Sequence, residues 1–133
     1  MALPKSISAW FLGFFLLGIF PPISPAAAVE GMYRIEGSNP ARGGAYSGEV
    51  QVKQTGRTFA VIWKIGQLRQ IGTGIVIDNV FSVVFQSILP GRVAGRPGIA
   101  VFQIDNDRIT NGIWSTLGDE ATGQEIWTAS DRH

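Results

Sequence analysis

The stretch Tyr46-Ser47-Gly48-Glu49-Val50-Gln51-Val52-Lys53 alternates without a break: its even positions are apolar or glycine, its odd positions Ser, Glu, Gln and Lys. Successive side chains of a strand point to opposite faces, so a period of two describes a strand with one wet and one buried face. Thr55-Gly56 follows as a short hairpin turn in which Gly56 can take a positive φ. Phe59, Val61, Trp63 and Ile65 then share one face of the next strand, with Thr58 and Lys64 on the other. The unit of this chain is therefore a hairpin with one apolar face.

Working outward, the same pattern predicts strands over Met32–Gly37, Arg69–Ile77, Val80–Gln86, Ile99–Ile104, Ile109–Thr116 and Gln124–Ala129. Asp78-Asn79 and Asp105-Asn106-Asp107 supply turns, because Asp and Asn tolerate left-handed backbone and bond their own main chain. Only Ser87–Gly98, with two prolines and three glycines, reads as a long loop. Eight strands in sequence make an antiparallel up-and-down meander. Closing it into a small barrel buries the apolar face and removes both open edges. A two-layer β-sandwich is the alternative, since the sequence does not determine strand pairing. Trp63 and Trp114 are expected in the core, each indole N–H paired, with Gly112 making room for Trp114 on the same face.

The N-terminus has a different character. Lys5, an apolar run from Ile7 to Phe20 and Ala26-Ala27-Ala28 form the three parts of a secretory signal peptide over residues 1–28. The run is shorter than the roughly 20 residues of a membrane span, and Pro21, Pro22 and Pro25 interrupt any helix there. Cleavage before Val29 leaves one domain, residues 29–133, secreted or periplasmic, with membrane contact only before cleavage. Lys5 is the only charge lost, so ten basic residues remain of 11, against ten acidic ones. A neutral domain offers no field for a polyanion, and nucleic acid is not an expected partner. The chain has no cysteine, so its core must hold without disulfides.

The chemistry is sparse. The single histidine is the last residue, His133, which leaves no base for a Ser-His or Cys-His pair. With no cysteine, the usual zinc and copper sites are not expected either, and no cofactor is implied. Asp105 and Asp107 read as turn residues rather than calcium ligands, and Asp119-Glu120 as a solvated tip. Glu125 stands apart. It shares strand parity with Trp127, so if Trp127 faces the core Glu125 does too, near the barrel mouth. An inward carboxylate needs a partner, and Arg34, Arg69 and Arg108 are candidates. It is then a buried ion pair or a ligand-binding group. The loop residues Arg92 and Arg96 could cap the mouth or meet an acidic partner.

Gly31-Met32-Tyr33-Arg34-Ile35-Glu36-Gly37, Tyr46-Ser47-Gly48-Glu49-Val50, Val61-Ile62-Trp63-Lys64-Ile65-Gly66, Gly72-Thr73-Gly74-Ile75, Asn111-Gly112-Ile113-Trp114 and Gly123-Gln124-Glu125 together resemble a group of small exported bacterial all-β proteins. Most of that group are uncharacterised and some are loosely labelled fibronectin-binding. The resemblance spans nearly the whole mature chain, implies an adhesin-like role and carries no catalytic residues. Gly112-Ile113-Trp114 is also similar to the Gly-x-Trp of lipocalin barrels, which there lies on the first strand. The functional expectation is a non-enzymatic binding or interaction module for an unidentified protein, a glycan or a small apolar ligand, with Arg92, Arg96, Glu125 and Trp127 as candidate binding residues. The alternatives are a barrel carrying a small molecule in an apolar interior and, last, a carboxylate-dependent enzyme using Glu125 beside an arginine.

Overall fold

The computed structural model describes residues 28–130 except Pro40 and Arg42. Apart from Ala28 the expected signal peptide lies outside these residues, as does His133. Eight strands follow one another: β1 Gly31–Asn39, β2 Gly44–Thr55, β3 Thr58–Ile65, β4 Leu68–Ile77, β5 Val80–Leu89, β6 Arg92–Asp105, β7 Arg108–Thr116 and β8 Gly123–Ala129. Each pairs antiparallel with the next, and β8 returns to β1 through Tyr33↔Ala129, Ile35↔Trp127 and Gly37↔Glu125. The fold is the closed up-and-down barrel that the alternation predicts, and the β8–β1 ladder overturns the sandwich alternative.

The predicted turns sit where left-handed backbone is needed. Gly56 has φ 63° and Asp78 φ 53°, and Asn106 and Asp107 take φ 51° and 61° between the paired residues Asp105 and Arg108. The expected long loop is a correction. Ser87↔Ala94, Ile88↔Val93 and Leu89↔Arg92 continue the β5–β6 ladder to a tight turn at Pro90-Gly91. Pro90 and Gly91 form that turn, and Gly95 and Pro97 serve a bulge, where Gly95 takes φ 87° and the ladder slips between Phe85 and Ser87. Bulges are where a strand tolerates Gly and Pro.

The inward face is aromatic, and glycine makes room for it. The Tyr46 ring lies across its cross-strand partner Gly37, where an added Cβ would stand 2.3 Å from the ring. Phe85 lies likewise on Gly98, Phe102 on Gly112 and Trp114 on Gly123, each opposite its glycine in the ladder. This corrects the role expected of Gly112: it accommodates Phe102 on β6, while Trp114 uses Gly123 on β8. Trp127 sits at the centre, with ring centroids 4.4 Å from Phe102, 5.2 Å from Tyr33 and 6.1 Å from Trp63.

The two ends differ. At one, Val29 is fully buried and its carbonyl accepts a 2.7 Å hydrogen bond from the Tyr33 hydroxyl, so the chain plugs the barrel as it enters. At the other, where β1–β2, β3–β4, β5–β6 and β7–β8 connect, the barrel is open. The outer surface is divided too. Arg34, Glu49 and Lys64 align across β1–β3. Across β4–β8, however, the rows Ile75–Ser82–Val101–Ile113–Gln124 and Thr73–Val84–Ile99–Ser115 carry no charge.

The ring-on-glycine packing makes Gly112→Ala a sharp test. The new methyl would meet Phe102 Cδ1 at 2.4 Å and the Val101 carbonyl oxygen at 2.3 Å, the latter a main-chain atom that cannot swing away. We expect a loss of about 1–3 kcal/mol or more in urea unfolding. An unchanged midpoint would mean the rings do not depend on that space.

Candidate functional site

The open end holds a cavity of about 580 Å³. Its walls are inward side chains near the mouth ends of successive strands: Tyr46 on β2, Trp63 on β3, Phe85 on β5, Trp114 on β7 and Glu125 on β8. Gln70 and Ser87 lie beside the rings, with Gln70 Nε2 donating to Ser87 Oγ at 3.5 Å. Ligand pockets are commonly concave, mostly apolar and of about 300–1,000 Å³, with a few placed polar groups. This cavity falls within that range of size, with aromatic walls and polar residues from Asn39 to Asp119 around its rim.

Glu125 is the polar group at its inner side. It is 5% exposed, and its ladder partners on both sides, Gly37 and Gly112, have no side chain to compete for the space. Tyr46 crosses Gly37 and donates from its hydroxyl to Glu125 Oε2 at 2.6 Å. Oε1 accepts from Trp127 Nε1 at 2.8 Å and from Trp63 Nε1 at 3.4 Å. Burial pushes the carboxyl above its ordinary range, and the bonds from Tyr46, Trp127 and Trp63 offset part of that rise. Burial, and then the negative charge of Glu125, also raise the Tyr46 phenol.

The expected arginine partners are corrected by this geometry. Glu125 is held by two indoles and a phenol, whereas Arg34 and Arg69 are exposed. Arg108 bonds the Ala28 carbonyl at 2.6 Å at the plugged end. Closure decides this: inward positions around Glu125 are taken by rings, and the arginines fall on outward or end positions.

The other candidate residues separate. Trp127 is buried under Glu125 and does not line the cavity; it orients the carboxylate from below. Arg92 is exposed beside the β5–β6 turn and does not line the cavity either. Arg96 does line it. It donates to the Leu117 carbonyl at 2.6 Å and meets Asp119 Oδ1 at 3.0 Å, which ties the β6 bulge to the β7–β8 connection. The Thr116 hydroxyl also donates to Asp119, and it and Arg96 hold that carboxyl below its usual range. The expectation for the two tryptophans holds for Trp63 and not for Trp114. Trp63 is 2% exposed and bonds Glu125. Trp114 is half-buried at the cavity wall, and its Nε1 is buried without completing a hydrogen bond, although it bears on the Tyr46 oxygen.

A scan against protein-family models found no match, and a search of curated proteins found none either. Among the described residues no group of three or more His, Asp or Glu is placed to hold a metal ion.

The raised Glu125 carboxyl has a consequence for stability. A carboxyl whose folded pKa lies above its unfolded value favours the fold below the unfolded value, about pH 4, and that contribution is lost as pH rises through the folded value. Glu125→Gln keeps an acceptor for the indoles and removes the titration. We expect wild-type stability to fall relative to the variant as pH goes from about 4 to 8. Asp119 acts in the opposite sense but is common to both proteins and drops out of the difference. Urea midpoints measured across that range decide it, and a pH-independent difference between the two proteins would contradict it.

Proposed function

We propose that this protein is an exported, non-enzymatic binding module whose site is the interior cavity, and that its ligand is a small molecule with an apolar body. The observation that supports this most directly is the cavity of about 580 Å³ between Tyr46, Trp63, Phe85 and Trp114. A core meant only for stability would be filled, because voids forfeit contact energy and close packing is the rule. Export rests on the signal sequence of residues 1–28 alone. The enzymatic alternative required an arginine beside Glu125, and its neighbours there are Tyr46, Trp63 and Trp127.

Ser87 lines the cavity beside Gln70 near the mouth, so Ser87→Trp should fill the entrance. We expect the neutral dye N-phenylnaphthylamine to brighten on binding wild-type protein and to lose most of that signal with the variant. Equal dye binding by two folded proteins would place the dye elsewhere and remove the support for this site.

The outer face of β4–β8 favours a second reading, an interaction module whose partner is another copy of the chain. A two-fold contact sets each group near the axis against its own equivalent, so charges there would repel; the central rows of Ile, Val, Ser and Thr carry none. We expect sedimentation to show a concentration-dependent dimer that Val84→Lys abolishes. A monomer at all concentrations would leave the cavity as the only basis for function.

A further inference from the structure

The chemical class of the ligand can be argued from what surrounds Glu125, on the reading that the cavity is the binding site. The carboxylate is buried at the inner side of a space wide enough for a ligand, and each group that bonds it is neutral: one phenol and two indoles. Among the described residues the one ion pair is Arg96–Asp119 at the rim. Arg96 is, among the described residues, also the one basic residue that lines the cavity, and its two terminal nitrogens are engaged by Asp119 and the Leu117 carbonyl. Three hydrogen bonds occupy three of the roughly four lone-pair sites of a carboxylate, which leaves room for one more donor.

The walls have the matching character. Tyr46, Trp63, Phe85 and Trp114 present ring surface to the same space. The face of an aromatic ring is the negative end of its quadrupole and attracts a cation within about 6 Å of the centroid. A buried carboxylate with no cation beside it among the described residues, next to several rings, suits a positive group on an apolar body. An anion would meet Glu125 unshielded, and a neutral ligand would leave that charge uncompensated.

We propose that the cavity binds an organic cation, a protonated amine on an apolar or aromatic body, with the ammonium at Glu125 among the aromatic walls.

The test uses three probes of one size at neutral pH: phenethylammonium, its neutral isostere phenethyl alcohol and the anion phenylacetate, each titrated by calorimetry. We expect the amine to bind at least about tenfold more tightly than the alcohol, and the acetate more weakly than either. Glu125→Gln should bring the amine down to the level of the alcohol and leave the alcohol unchanged. Trp114→Leu, which does not touch the carboxylate, should weaken the amine more than the alcohol, so the question is still decided if Glu125→Gln fails to fold. Equal binding of amine and alcohol, or an amine affinity indifferent to both variants, overturns the cation while leaving the cavity as a site. Binding of none of the three, together with dye binding indifferent to Ser87→Trp, overturns the cavity reading as well.

Discussion

The interior of this barrel depends on steric exclusion: a ring can lie flat against the wall only where the opposite strand has no Cβ. Eight strands enclose a narrow space that side chains can just fill. Tyr46, Phe85, Phe102 and Trp114 each stand opposite a glycine in the ladder, and in each case a Cβ on that glycine would fall 2.3–2.4 Å from the ring. The arrangement gives large apolar area at small cost in width. It lets a domain without disulfides bury several rings, at about 25 cal/mol for each Å² of apolar surface removed from water. It also sets directions. Tyr46 reaches Glu125 because Gly37, the ladder partner of both, has no side chain to block it.

Strand parity made most of the fold legible. Once Val50 faces in, so do Tyr46, Gly48 and Val52, and a single glycine or Asp-Asn turn carries the pattern into the next hairpin. The β5–β6 hairpin escaped this logic because its ladder slips between Phe85 and Ser87, and a slip breaks the alternation that identifies a strand. The partner of each glycine escaped it for another reason. Gly112 and Trp114 do point the same way, but which ring rests on which glycine is decided between strands, and pairing register is not written along one strand.

The site was half legible. Parity alone placed Glu125 inward. Its binding partners were misjudged because an opposite charge is the usual company for a buried carboxylate, and here neutral donors take that place. The walls were visible in principle. In an up-and-down barrel the mouth end is the end of odd strands and the start of even ones. Trp63, Phe85 and Trp114 are inward residues late in odd strands, and Tyr46 is one early in an even strand. Sorting inward aromatics by end, as well as by face, would have collected them around one opening.

The two halves of the barrel interior are packed differently and are joined at one pair of residues. Below Glu125, Trp127 contacts Tyr33, Phe81 and Phe102 in a filled core that Val29 plugs from the far end. Above it, the rings face open space. The Trp127 N–H is the polar link between these regions: its indole body belongs to the core and its one donor is bonded to the carboxylate at 2.8 Å. Fixed this way, the carboxylate cannot swing to find solvent, so the cost of keeping it in the interior is carried by the rigid half of the barrel. A carboxylate held in place by a packed core is preorganised, so the proposed ligand would spend no free energy on ordering it.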